Sequence, residues 1–577
     1  KSWMDKISKK TQMIKKRLNE LKKNFDLLGI DGYVVPKNDE FFSEYSQKNR
    51  LKAISNFSGS AGYAIILKKK NILFVDGRYT IQAQIESGKY FKIENLQKII
   101  NCNLFKNLKL GIDPRVFTSE QINKFFLRFN SVKILHSNLV DQIFNKYSYK
   151  SKPFYSLPKE VVGESFQQKI NKITKILKKQ KSDYLFLSAP ENVAWLLNIR
   201  GFDNPNSPIP NCRLLLIKNK NFFLISEKFK LKKLIKEKKI EKKQIIEPKD
   251  FEIFVNSLKQ GKMIIDNKTC SLFIKKILQK KFKLLKKEDP IYLLKSIKNK
   301  NEINGMIKSH IIDGAALTKF LYWIKVINKK KISEVDAQNK LEKFRKRNKE
   351  YLFPSFDTIA GSGENGAIVH YRAKKKNSRI INKKDIFLCD SGGQYKYGTT
   401  DVTRTLCFSK QKQHIKNIFT KVLKGHIAVV TSNLKQYYNG KLIDIRARKS
   451  LRRHGLDYEH GTGHGVGFFL NVHEGPQAIS KFNKIKLKEG MILSNEPGFY
   501  KKGKFGIRIE NLIYIKKYNN KLSFENLTLA PIDKDLINYK LLNKQEKNYL
   551  FKYHIDVYSK LSKYLNKNEK KWLTSFF

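Results

Sequence analysis

The sequence predicts a multidomain α/β (α+β) protein: two successive α/β units, then a longer C-terminal domain that carries the chemistry. Three observations predict it. At 577 residues the chain exceeds what one hydrophobic core usually supports. Residues 1–157 and 158–297 each run through one series of events: a long helix, a strand, a helix or loop ending in Gly, then a hairpin-like pair of strands. From residue 298 the character changes, and long Gly-rich motifs hold nearly all the candidate chemistry. A hydrophobic fraction of 41% is ample for such cores.

In residues 1–157 the chain opens with the basic segment KSWMDKISKKTQMIKKRLNELKKNFDLLGI. Its apolar positions Ile14, Leu18, Leu21 and Phe25 recur at helical spacing, so this helix is expected to pack on the first domain rather than on a membrane. The strands that follow are DGYVVP, AGYAIIL, NILFVDGRY and KLGIDP. In residues 158–297 the helix ESFQQKINKITKILKKQ precedes DYLFLSA, ENVAWLLNIRG, RLLLIKNKNFFLI and KMIIDN. The shared order raises duplication of one fold, which the sequence alone leaves open. Residues 298–577 begin with a long helix containing Ala315, Ala316, Leu317 and Phe320. They end in a lysine-rich helical extension, about 530–577, expected to serve packing or assembly.

The net charge of +66 by itself points to a polyanion partner, through phosphate contacts and counterion release. The lysines, however, are spread along the whole chain between apolar residues. There is no basic arm and no aromatic-interleaved RNA-binding signature. Joint enrichment in Lys, Asn, Ile, Phe and Tyr reads as compositional drift from an AT-rich genome, so nucleic acid is not the expected partner. Five cysteines (Cys102, Cys212, Cys270, Cys389 and Cys407) are scattered without a CxxC pair. They indicate neither a disulfide framework nor a zinc ribbon, and a reducing compartment is the default. Cys389 should face the core, on the opposite side of its strand from Asp390. No apolar run is long enough to span a membrane, and the N-terminal segment lacks a signal peptide's apolar centre. A cytoplasmic location is the expectation.

The chemistry is concentrated in five segments: LCDSGGQY, GTTDVTRT, HGTGHGVG, SNEPGFY and GIRIENL. They carry Asp390, Asp401, His464, Glu496 and Glu510. Four carboxylates and one imidazole offer no sulfur for a structural zinc site and too much charge for one small ion. Such an oxygen-rich set suits a pair of divalent ions, manganese, cobalt or zinc, which activates a water and polarises a carbonyl. Asp390 closes the strand DIFLCD and Asp401 opens DVTRTLCF, so a Gly-rich connection folds the two carboxylates together. Neither stays ionised beside the other without a cation.

His460 and His464 are spaced like the zinc helix HExxH. No Glu follows His460, however, and the glycines of HGTGHGVG argue for extended or tightly turned backbone approaching a site. Glu496 follows the strand MILSNE and precedes Pro497 and Gly498, which end it. Glu510 is expected on one continuous strand, GIRIENLIYI, with Arg508 on the same face supporting a carboxylate.

Taken together, these motifs resemble the aminopeptidase P family of X-Pro aminopeptidases, within the pita-bread metallopeptidase group. The resemblance is carried by FDTIAGSGENGAIVHY, LCDSGGQYKYGTTDVTRT, EHGTGHGVGFFLNVHEGP and SNEPGFYKKGKFGIRIENL. It implies the long three-domain type, with creatinase-like domains at 1–157 and 158–297 and a pita-bread catalytic domain at 298–577. Carried over by position, Asp390 serves one metal, His464 and Glu496 the other, and Asp401 and Glu510 both. Two ions per subunit, typically manganese, with a water or hydroxide between them, are implied.

The resemblance also makes His370, His460 and His473 substrate-site histidines, with His473 and His370 stabilising the oxyanion and Glu496 shuttling the proton. Arg78 matches a peptide-binding arginine of the first domain, and Arg508 completes the set. The implied substrate is a peptide with Xaa-Pro at its N-terminus, and the implied assembly a homodimer. Two alternatives stay open: a prolidase acting on Xaa-Pro dipeptides, and a non-catalytic binding protein on the same scaffold. Prolidases normally carry one preceding domain, and binding relatives lose metal ligands, whereas all five are present here.

Overall fold

The computed structural model describes residues 3–101, 103–144, 151–375 and 378–577; for residues 3–11, Asn101 and Arg78 it describes the backbone alone. The chain divides into two compact units. The first comprises Lys1–Ser156, Ser165–Pro205 and Ile209–Pro290; the second comprises Leu157–Glu164, Asn206–Pro208 and Ile291–Phe577.

The first unit holds two six-stranded sheets. One is built from β1 (Gly32–Pro36), β2 (Gly62–Leu67), β3 (Asn71–Val75), β4 (Lys92–Asn95), β5 (Lys109–Ile112) and β6 (Ser131–Ile134), in the order β4-β3-β2-β1-β5-β6. The other uses β7 (Tyr184–Leu187), β8 (Arg213–Ile217), β9 (Phe222–Ile225), β10 (Ile245–Ile246), β11 (Lys262–Ile265) and β12 (Lys283–Lys286), in the order β10-β9-β8-β7-β11-β12. Order and direction are the same in both: two antiparallel pairings at the centre, flanked by parallel ones. The repeated run of events in the sequence is thus a repeated topology. The helix Trp3–Lys22 buries Ile14, Leu18 and Leu21, with Phe25 just beyond it, against Tyr33, Val35, Ile66 and Leu73 of the first sheet.

In the second unit, the 23-residue helix Lys300–Tyr322 starts at a reciprocal cap between Asn299 and Glu302. A five-stranded sheet contains, in order, Glu474–Ile479, Gly463–Gly465, Ile492–Asn495, Asn511–Tyr518 and Lys521–Asn526. A three-stranded sheet sets Phe387–Ser391 between Ile359–Ser362 and Val402–Leu406. Helix Gln413–Val430 packs Phe419, Val422, Leu423 and Ile427 into one core with Ile507 and Ile509. The C-terminal helices Lys544–Leu561 and Lys567–Thr574 complete that core through Leu550, Tyr553, Val557, Leu561 and Leu573. The lysine-rich extension therefore serves packing. Cys212, Cys270, Cys389 and Cys407 are buried and free, Cys389 among Leu317, Phe320 and Phe387; Cys102 lies outside the described residues.

Candidate metal centre

Asp390 sits one residue before the end of its strand, opposite Thr403, and Asp401 one residue before the neighbouring strand begins. Between them Gly393–Tyr395 and Gly398–Thr399 pair as a separate short hairpin. The chain leaves the sheet and returns, and the two carboxylates end side by side. One oxygen from each, with one from Glu510, lies within 4.8 Å of the others.

The continuous strand expected through Glu510 is broken. Phe505–Arg508 pairs with Gly498–Lys501, whereas Asn511–Tyr518 pairs with Ile492–Asn495 and Lys521–Asn526. Arg404 supplies the physical reason: its Nη1 donates to the Glu510 carbonyl (2.8 Å), an oxygen that a continuous ladder would need, and also to Thr403 O (2.9 Å), which still accepts the Glu510 N–H (3.1 Å). Glu510 keeps one bridge to Thr403, and its Oε2 accepts from the Thr403 hydroxyl at 2.7 Å.

His464 lies in the irregular strand Gly463–Gly465, as the glycines of HGTGHGVG require. A Cβ on Gly463 would overlap the Ser494 carbonyl oxygen, so only glycine lets this strand come so close. The His464 Nδ1–H donates to Gly465 O (2.9 Å), which leaves the Nε2 lone pair pointing at carboxylates: 3.4 Å to Asp401 Oδ2 and 3.3 Å to Glu496 Oε1. Glu496 directly follows the strand Ile492–Asn495. Ser494 locks the pair, donating to Glu496 Oε1 (3.0 Å) and accepting from the His464 N–H (2.8 Å).

Three overlapping sets of ligand atoms result. They are His464 with Glu496 and Glu510, Asp390 with Asp401 and Glu510, and Asp401 with His464 and His473. Burial pushes the Asp390 carboxyl up to about 7; Arg508 opposes this, and Asp401 and Glu496 add to it. Burial raises Glu510 well above the usual carboxylate range, reinforced by Asp401, Glu496 and Asp390. Glu496 is raised by burial as well, offset by His464. Asp390 Oδ1 and Asp401 Oδ1 are buried without a hydrogen-bond donor, a costly state for a carboxylate. Crowded oxygens, one imidazole lone pair and two orphaned carboxylate oxygens fit two adjacent divalent ions.

A hydrogen-bonded frame surrounds the cluster. Arg508 donates from Nη2 to Asp390 Oδ2 (2.8 Å), from Nε to Thr403 Oγ1 (3.2 Å) and from Nη1 to the Tyr500 hydroxyl (2.7 Å). Tyr500 then donates to His460 Nε2 (2.8 Å), while the opposite nitrogen donates to Gly461 O (2.8 Å). The His473 ring stands edge-on to His464 with centroids 4.3 Å apart. His370 lies half-buried in the turn after Gly363–Ala367, beside Tyr371, whose hydroxyl donates to buried Glu334 (2.7 Å). Arg78 falls in the short helical turn Gly77–Tyr79 of the first unit, and its side chain lies outside the described residues. Sequence reasoning passed over Thr403, Ser494, Tyr500, Arg404 and Glu334. The first four sit inside or beside the quoted motifs, but each also has a partner 30 or more positions away. A further cluster, Cys407 with Asp533 and Asp535, already holds a cation of its own: Lys325 Nζ lies 2.5 and 2.6 Å from the Asp533 oxygens and 2.9 Å from Asp535.

Comparison with known proteins is consistent along the whole chain. Residues 304–517 match the model of Metallopeptidase family M24, and residues 520–575 that of the C-terminal region of peptidase M24. Residues 17–142 and 145–302 each match a Creatinase/Prolidase N-terminal domain. A probable Xaa-Pro aminopeptidase P of Pyrenophora teres is 36% identical over 96% of this chain and 90% of its own length. The chain belongs to the Xaa-Pro aminopeptidase P family of M24 metallopeptidases. Xaa-Pro aminopeptidase 1 of Dictyostelium discoideum, also 36% identical, covers 95% of this chain and 93% of its own. The X-prolyl aminopeptidase of Caenorhabditis elegans, described as a cytosolic enzyme with a di-nuclear active site, superposes with a TM-score of 0.89 at 29% identity, over 97% of this chain and 99% of its own. Members of this family are hydrolases with creatinase-like α/β domains ahead of a pita-bread domain, and this chain has that architecture. Among the described residues no helix is long and apolar enough to cross a membrane.

Proposed function

We propose that this chain releases the N-terminal residue from peptides with proline at the second position. Asp390 is assigned to one divalent ion, His464 and Glu496 to the other, and Asp401 and Glu510 to both, with manganese the ion used. One observation carries the reading: five side chains from five separate strands or strand ends converge so that two buried carboxylate oxygens and one imidazole lone pair face each other without a donor. A bound ion pair supplies water activation and carbonyl polarisation.

The chain's own groups do the rest. Glu496, fixed by the Ser494 hydroxyl, takes the proton of the attacking water and passes it to the leaving nitrogen. His473, beside His464, and His370 donate to the developing oxyanion. His460 has both ring nitrogens engaged by Gly461 and Tyr500, so it contributes a wall to the substrate pocket. Arg508 holds Asp390 in its orientation, and Arg78 is assigned to peptide binding. A dedicated site is needed because the Xaa-Pro imide lacks an N–H and restricts its neighbour's backbone. The reading includes three successive domains, 1–157, 158–297 and 298–577, a homodimer and a cytoplasmic location.

Mass spectrometry of an Xaa-Pro-Xaa peptide and an Xaa-Pro dipeptide, each with protein and manganese, with and without chelator, tests it. Chelator-sensitive release of the first residue from the longer peptide is expected. Cleavage of the dipeptide alone would replace this reading with a prolidase. Cleavage of neither would make the chain a binding scaffold.

A further inference from the structure

Glu474 directly follows His473 in sequence and stands opposite Gly465, the neighbour of His464, in the antiparallel ladder. It is therefore tied by covalent bonds to one site histidine and by register to the other. Its side chain is 1% exposed and reaches two lysines that are as deeply buried. Lys298 Nζ donates to Glu474 Oε1, and Lys295 Nζ lies 3.4 Å from Glu474 Oε2. Gly467 makes room for the carboxylate: a Cβ there would come within 3.1 Å of Glu474 Oε2 and 2.8 Å of Asn471 O.

The lysines are anchored in turn. Lys295 lies on the helix Ile291–Ser296, and the Lys298 N–H donates to Gly490 O at 3.0 Å beside the bridge between Ile297 and Met491. Glu302, buried in the first turn of helix Lys300–Tyr322, is the second negative charge acting on Lys298, so the cluster is balanced.

A buried ion cluster of this kind is a poor source of stability, because desolvating each charge offsets much of the attraction; apolar residues of similar volume serve as well or better. Its value lies in direction, since the charged hydrogen bond from Lys298 accepts a narrow geometry, and Lys295 faces the other oxygen as an ion pair without a hydrogen bond. We infer that Glu474, clamped by Lys295 and Lys298, is a positioning residue that fixes His473 against His464 for the reaction. The inference rests on the aminopeptidase reading, which gives His473 its contact with the scissile carbonyl.

The test replaces the cluster as a unit: Lys295→Met, Lys298→Met and Glu474→Leu together, in the full-length chain loaded with manganese. The expected variant keeps its melting temperature and two bound ions per chain, while kcat falls roughly 10- to 100-fold and KM stays within about twofold. The His473 ring resonance in carbon-13 histidine-labelled protein loaded with diamagnetic zinc in place of manganese, assigned by its loss in His473→Gln, shifts as well. Unchanged kcat with an unchanged His473 resonance overturns the inference. Should the triple variant not fold, Lys298→Met with Glu474→Gln is read in the same way. Wild-type release of the first residue is measured beforehand, so failure of the aminopeptidase reading shows there. The resonance decides the positioning role independently of activity.

Discussion

Arg508 Nη2 lies 2.8 Å from Asp390 Oδ2, on the side of the carboxylate away from the orphaned Oδ1. One guanidinium thereby satisfies one oxygen of a candidate ligand and leaves the other free for a cation. Two further bonds, to Thr403 Oγ1 and the Tyr500 hydroxyl, fix the fork in place, and burial behind 2% exposure denies it water. A lysine has no planar fork with which to repeat this.

Arg508→Met is therefore expected to weaken metal binding by roughly 10- to 100-fold, the usual scale for removing the group that orients a ligand. Arg508→Lys should recover only part of the loss. Titration with manganese in a chelator buffer measures it, and wild-type affinity in Arg508→Met would remove Arg508 from the metal site.

Tyr500 joins the metal-side frame to the substrate side, accepting from Arg508 and donating to His460. In Tyr500→Phe, Arg508 Nη1 loses a buried acceptor and His460 Nε2 loses its donor. A loss of roughly 1–3 kcal/mol in stability is the scale for such unpaired groups. Because His460 then loses its Tyr500 bond, KM for an Xaa-Pro-Xaa peptide is expected to rise more than kcat falls. Equal falls in kcat and kcat/KM, with KM unmoved, would contradict the role given to Tyr500.

Much of this site is legible in sequence because each ligand sits in a short motif whose neighbours restrict geometry. Pro497 and Gly498 end the strand before Glu496, and Gly463 permits the close approach at Ser494. Alternation also placed Arg508 beside a carboxylate. It failed at Ile509, because the break depends on Arg404, a residue more than a hundred positions away whose guanidinium takes the Glu510 carbonyl. Thr403 with Glu510, Lys298 with Glu474 and Arg404 with Tyr553 were illegible for the same reason. No local period relates residues so far apart in the chain, and only the tertiary fold pairs them. The two N-terminal units, by contrast, share an order of elements that left duplication open in the sequence, and the two sheets repeat one strand order.

Removal of metal is expected to destabilise the second unit. Without ions, Asp390, Asp401, Glu496 and Glu510 crowd one space, and Arg508 is hydrogen-bonded to Asp390. A ligand at a free concentration one hundredfold above its Kd adds about 2.7 kcal/mol per site. Scanning calorimetry with chelator and with added manganese should therefore show a melting temperature several degrees apart. Coincident curves would mean that the cluster binds no ion.

Acid should loosen the C-terminal helices, through His554. Its Nε2 accepts from the Ile532 N–H (3.1 Å) and its Nδ1–H donates to Leu550 O (3.0 Å), a pattern that only the neutral ring can make. Burial, with Arg404 adding to it, depresses the His554 imidazole to about 4, from 6.5 in the unfolded chain. Between those values the unfolded chain takes up a proton that the folded chain refuses, so stability is complete above 6.5 and declines as pH falls toward 4. The loss amounts to about 3 kcal/mol for this one group. His426, depressed further by burial and Arg404 to about 3, acts in the same direction. His554→Gln keeps an acceptor for the Ile532 N–H and cannot titrate. Urea unfolding of the metal-free protein between pH 7 and pH 4 should show a shallower decline in His554→Gln than in wild type. Parallel declines would mean that the buried ring carries no part of the acid sensitivity.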